Sequence, residues 1–301
     1  MSRAEMVVIL NSGDASVSLI DKATYQVVET YPIGKEPHHL LATPDNKSLL
    51  VANAAANELV VLDPVTGKLQ RRIPGIDDPY KIGFSPDQKW FVTAGNRVDI
   101  YAYDGKDMKI RKQVPMPQTP GHLALTGDSK IVFVTLQDSD ELSAIDLNTQ
   151  TQLWKIKVGS APSGVWMTPD EKYLLVGMTG ADCMAVIDWR TRTLVKSIPT
   201  GKGARNFRAL GDKRNVLISN RISATISIIG QQKLEKTGDI TGLCAGPDDM
   251  ELTADGKELW ITCRWAKTVA VVDMATRKVT RRIRVGKSPY GVYFQTRAPL
   301  N

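Results

Sequence analysis

The chain repeats itself about every 42 residues, and no other feature limits its fold so tightly. Aligned on short Gly- and Pro-containing segments, it gives GKEPHH, GIDDPYK, PQTPGH, GSAPSG, GKGARN, CAGPDD and GKSPYG. The anchors are Pro37, Pro79, Pro120, Pro162, Ala204, Pro247 and Pro289, spaced by 42, 41, 42, 42, 43 and 42 residues. A second series, TPD, SPD, TGD, TPD, LGD and TAD, starts some six residues after each of the first six anchors. A third is the run VLD, AID, VID and VVD ending at Asp63, Asp146, Asp188 and Asp273. A fixed period of this length is the mark of a repeat architecture.

Each unit reads as four short strands. In the first, HHLLAT leads through PDNK to SLLVAN, then ELVVLD, the turn PVTG, and KLQRRIPG. Apolar and β-branched runs between Pro, Asp, Asn and Gly turns are strand and hairpin signals, and no segment carries a helical period. Four strands per unit predict an all-β fold, a seven-bladed β-propeller, because one blade cannot bury both its faces alone. Six units fill approximately 38–79, 80–120, 121–162, 163–204, 205–247 and 248–289. The seventh combines residues 290–301 with 1–37, one C-terminal strand joining three N-terminal ones in a single domain. Such closure leaves no open sheet edge.

The runs SLLVANAAANELVVLD, YLLVGMTGADCMAVID and ELWITCRWAKTVAVVD resemble the YVTN-repeat, or surface-layer-type, seven-bladed propellers, over nearly the whole chain. A more distant likeness is to the haem-carrying propeller of the cytochrome-type nitrite reductases. The resemblance implies the fold. Its relatives include binding proteins, lyases, lactonases and single-strand DNA binders, and many are exported to the bacterial periplasm. No basic-then-apolar leader precedes the strand-like MVVILN. No run of 18 apolar residues predicts a membrane span.

In a propeller the blade-to-blade loops and the second-to-third-strand loops share one face. Residues just after each anchor therefore surround the mouth of the central channel. These include His38, His39, Tyr80, Lys81, His122, Arg205, Asn206, Asp248, Asp249 and Tyr290, while Asn11, Asn53, Gln137, Asn220, Arg221, Arg264 and Trp265 come from middle loops. All three histidines and all three cysteines fall on this face, which suits a ligand site built from loops on a rigid scaffold.

Several chemistries are open to these residues. Lys81, Arg205, Arg221 and Arg264 suit a carboxylate or phosphate. Arg264 beside Trp265 suits a flat ligand. His38, His39 and His122 suit a transition metal, and the haem-bearing relatives imply His38 as an axial ligand. Asp248 and Asp249 suit a hard cation or acid–base work. Because neighbouring residues on a strand point to opposite faces, at most one of His38 and His39 is expected to face the channel. Replacing His38 by Ala is then expected to weaken binding with little change in stability. Cys244 and Cys263, in adjoining loops, are a candidate disulfide.

The leading expectation is a monomer that binds a small anionic or metal-containing ligand, or a partner protein, at this mouth. The alternatives are a metal-dependent lyase or lactonase, a haem or metal carrier, and a single-stranded DNA binder. The net charge of +7 needs none of these. Arg71, Arg72, Arg111, Lys112, Lys155, Lys157, Lys196, Arg281, Arg282 and Arg284 fall on predicted outermost strands, where cations block edge-to-edge pairing. No Gly-x-Ser-x-Gly, Walker or His-Glu-x-x-His motif is present.

Overall fold

A computed structural model describes residues 5–105, 108–116 and 120–300. Residues 117–119 of the PQTPGH anchor lie outside them. The described chain forms seven four-stranded antiparallel sheets. The first blade runs Pro37–Ala42, Leu49–Asn53, Glu58–Leu62 and Leu69–Pro74. The innermost strands of the next five blades are Lys81–Phe84, Pro120–Leu125, Pro162–Met167, Ala204–Ala209 and Pro247–Leu252. The last sheet joins Pro289–Tyr293 to Met6–Asn11, Ser16–Asp21 and Gln26–Pro32. In it Val8 opposes Tyr293 and Ile9 opposes Val292, so the two ends of the chain close the ring as the repeat predicts. Innermost strands of adjacent blades contact one another in an unbroken cycle.

The turns explain the second and third repeat series. In TPDNK, Thr43 Oγ1 donates to Asp45 Oδ1 at 2.7 Å, and Asp45 accepts the Lys47 amide at 3.0 Å. The same pattern recurs at Thr126–Asp128, Thr168–Asp170 and Thr253–Asp255. In the other turn, Asp188 accepts the amides of Arg190 and Thr191, both at 3.0 Å. Asp21, Asp63 and Asp146 do the same in their blades. Asx turns of this kind fix each hairpin locally.

The core lies between blades. Its apolar clusters each span one junction between neighbours. Val8 and Leu10 of the closing blade, for example, meet Leu49, Val51 and Val60 of the first. A fully buried side chain of this kind contributes roughly 1.5–3 kcal/mol, and a blade without neighbours would leave it in water. The outermost strands are the exposed ones, and the basic residues anticipated there are indeed exposed.

Candidate functional site: a two-tiered channel

The innermost strands open with an irregularity that decides which side chains reach the channel. Pro120 opposes Leu136 and Leu123 opposes Val134, so Gly121 and His122 together face Thr135 alone. The same bulge places Arg205 and Asn206 against Ser219, and Asp248 and Asp249 against Thr262. In the first blade the shift falls between Pro37 and His39. A bulge cancels the alternation of a regular strand. Hydroxyls opposite the bulges hold them. The amides of His122, Asn206 and Asp249 donate to Thr135, Ser219 and Thr262 at 3.0, 3.1 and 3.0 Å. Thr135 and Thr262 donate onward to the carbonyls of Ser163 and Tyr290 in the next blades, at 2.7 and 2.8 Å.

Two tiers result. Of the two adjacent histidines, His39 lines the central cavity and His38 is packed against tyrosine rings. The His38 ring lies 3.6 Å from that of Tyr80 and 4.0 Å from that of Tyr290, centroid to centroid. His39 lines the cavity one level deeper.

The upper tier is organised by Asp248, which is wholly buried. Its Oδ1 accepts from Asn206 Nδ2 at 2.8 Å, and its Oδ2 accepts from Arg221. Arg205 Nε is 3.6 Å and Arg264 Nη1 3.9 Å from the same carboxylate. Arg205 also reaches across the channel to donate to the Tyr80 hydroxyl at 2.8 Å. The guanidinium groups of Arg264 and Arg205 stand 5.5 and 6.0 Å from the centre of the Tyr290 ring. Three guanidinium groups thus share one carboxylate. The buried Nε atoms of Arg205 and Arg221 have no hydrogen-bond partner among the described residues. His38 is held neutral by burial, and then by the positive charges of Arg205, Lys81 and Arg264.

The lower tier surrounds a cavity of about 330 Å³. His39, Lys81, His122, Asn206 and Asp249 line it toward the mouth. His39 Nδ1 accepts the Ile82 amide at 3.3 Å, and Asp249 Oδ2 accepts the Val292 amide at 3.3 Å. Burial pulls the Lys81 ammonium down to about 8 and pushes the Asp249 carboxyl up to about 7. His39 and His122 are kept neutral, by burial first and by Lys81 next.

Below, the cavity meets a second buried ion pair that the sequence reading missed. Arg208 Nη2 is 2.6 Å from Glu251 Oε1. The same guanidinium donates to the carbonyls of Ala298 and Pro299 at 2.6 and 3.0 Å, strapping the C-terminal segment under the channel. Charged residues inside the otherwise apolar runs FRAL and MEL were the available signal.

Not every anticipated residue joins these tiers. Trp265 is 54 % exposed and does not line the cavity. Asn11, Asn53 and Asn220 are fully buried. Asn11 bonds Ser18 at 2.9 Å and Asn53 the Ile33 carbonyl at 3.0 Å, so they brace the loops and are not offered to a ligand. Cys244 and Cys263 are joined in a disulfide with Cα atoms 5.8 Å apart, and Cys183 is free. Among the described residues no three His, Cys, Asp or Glu side chains are grouped to hold a metal. Asp248, considered for cation binding, is engaged by arginines.

A haem held by His38 does not fit this arrangement. The residue is 4 % exposed, its ring is wedged between two tyrosines, and its Nδ1 is buried. A group as wide as a porphyrin has no approach to it here.

A closed ring of seven four-stranded blades with a polar channel defines the seven-bladed β-propeller class. A family model for YncE-like β-propellers matches residues 1–300, and the chain belongs to that family. By sequence, no curated protein matches it. Among solved structures it resembles a functionally unknown protein from Desulfotomaculum acetoxidans, with a TM-score of 0.82 at 12% identity, covering 97% of this chain and 99% of that one. It also resembles the dihydro-heme d1 dehydrogenase NirN in complex with DHE, with a TM-score of 0.70 at 14% identity, over 96% of this chain and 75% of that one. A candidate 6-phosphogluconolactonase from Bacteroides uniformis gives 0.76 at 16% identity, over 97% and 100%. At such identities the likeness is one of fold. No helix among the described residues is long and apolar enough to cross a membrane.

Proposed function

We propose that this propeller binds, without chemical turnover, a small molecule carrying two or more carboxylate or phosphate groups at the channel mouth. The observation that carries the reading is the convergence of Arg205, Arg221 and Arg264 on the single carboxylate of Asp248. Asp248 orients the guanidinium forks but neutralises only one of three. The surplus charge is recessed, where it is screened less than at the surface. Guanidinium forks match carboxylate and phosphate geometry, often through paired hydrogen bonds. A small ligand is favoured over a docked protein because Arg205 and Asp248 are only 8% and 0% exposed.

The disulfide between Cys244 and Cys263 supports an oxidising compartment, in line with an exported protein. Titration calorimetry with citrate, inorganic phosphate and a sugar bisphosphate at low salt tests the binding. The expected result is saturable binding to one of them, weakened tenfold or more in Arg221→Gln and weakened by added salt. No binding of any polyanion at low salt would overturn the reading.

A further inference from the structure

We infer that the cavity beneath the mouth is a second binding site, for a small monocarboxylic acid with a short hydrocarbon chain. It lies under the layer formed by His38, Tyr80 and Tyr290 and above the segment strapped by Arg208. Its polarity is split. Toward the mouth stand Lys81, His122 and Asp249, while Leu41, Leu123, Val165, Trp166, Phe207 and Met250 form apolar wall. At the far end Arg208 and Arg297 both pair with Glu251, at 2.6 and 3.6 Å, and Arg208 also donates to backbone carbonyls.

Two groups at the polar end lack the partner such an acid would supply. Lys81 has no carboxylate within 4.0 Å among the described residues, although it faces the cavity. His122 is 5 % exposed, lines the same cavity, and its buried Nε2 has no hydrogen-bond partner. A ligand carboxylate satisfies both, as ion pair and as hydrogen-bond acceptor. The apolar wall takes the chain. A volume of about 330 Å³ is at the small end of ligand pockets, which sets a low limit on chain length.

The site is distinct from the mouth in the ligand it selects. The mouth collects several negative groups. The cavity offers Lys81 and an apolar wall, and its two far-end guanidinium groups, Arg208 and Arg297, both lie on Glu251, so a polyanion does not match it. The charged and titratable groups around the bound carboxylate are Lys81, Asp249, His39, His122 and, from above, Arg205, Asp248 and His38, with Glu251 below. Asp249 repels the ligand when ionised, and Lys81 loses its charge at higher pH. Binding is therefore expected to be tighter at pH 6 than at pH 9.

Titration calorimetry with butanoate, hexanoate and octanoate at pH 6 tests the site. The expected affinity rises about fourfold per added methylene until the cavity is full. It falls at least tenfold in Lys81→Met, and hexanoate binding persists in saturating citrate. Affinity that ignores chain length, or survives Lys81→Met unchanged, would overturn the proposal. So would competitive displacement of hexanoate by citrate, which would reduce the two sites to one. Failure of citrate, phosphate and the sugar bisphosphate all to bind would sink the mouth reading and leave this one standing.

Discussion

Asn206 donates its side-chain amide to Asp248 across the junction between two blades, at 2.8 Å. The bond spans the two tiers, since Asn206 lines the lower cavity and Asp248 anchors the arginines above it. It also fixes which oxygen is left for which arginine: Asn206 occupies Oδ1 and Arg221 occupies Oδ2. The geometry of the mouth thus depends on a carboxylate that no ligand need touch.

Asp248→Asn is expected to cost about 3–5 kcal/mol, the usual result of removing one partner from a buried ion pair. Three guanidinium groups would lose their shared counter-charge. Urea unfolding at pH 7 measures this, and a loss under 1 kcal/mol would show that solvent already compensates the arginines.

Lys81 should be a stability burden below its depressed titration range. Its folded pKa lies near 8, below that of the free ammonium, so the folded state pays to protonate it as pH falls. Lys81→Met is expected to raise the melting temperature at pH 6, with the gain shrinking above pH 9. Asp249 has the opposite sign. Burial raises its pKa to about 7, so its ionisation destabilises the fold as pH rises through 7. Asp249→Asn should therefore stabilise more at pH 8.5 than at pH 5.

His38→Ala bears on the expectation of little stability change. With ring contacts on both sides, each aromatic pair contributing about 0.5–1.5 kcal/mol, the packing points to a loss of about 1–3 kcal/mol. Thermal or urea unfolding decides between the two outcomes.

The hairpin aspartates should make acid unfolding gradual. Backbone amides of Thr191 and Thr276 hold Asp188 and Asp273 below the usual carboxylate range. A lowered folded pKa gives stability that is complete above pH 4 and lost as pH falls through the folded value. Asp188→Asn keeps an oxygen acceptor but cannot titrate. Its stability is expected to drop less between pH 7 and pH 3 than that of the parent protein.

Removing the Cys244–Cys263 disulfide, which closes a sequence separation of 19 residues, should cost about 3 kcal/mol. Comparing urea midpoints of the parent and Cys244→Ser/Cys263→Ser proteins measures it. An equal midpoint would show that the thiols are not paired in solution.

Local chemistry made most of the fold readable in the sequence. The Thr-x-Asp and strand-ending Asp turns close hairpins within a few residues, and their 42-residue recurrence leaves stacking as the way to bury Val51, Leu49 and their counterparts. Blade number, ring closure and the face carrying His38, Arg205 and Asp248 follow from counting. The sorting of neighbours into tiers does not. His38 packs between Tyr80 and Tyr290 while His39 lines the cavity, because the first residues of the strand bulge, and a bulge depends on the register with the neighbouring strand. Arg208 and Glu251 were overlooked because their partners lie 43 and about 90 residues away. Whether a charge is paired or available is settled by neighbours from other blades, so only the closed ring decided that three arginines meet at Asp248 while Lys81 lines the cavity without a close ion-pair partner among the described residues.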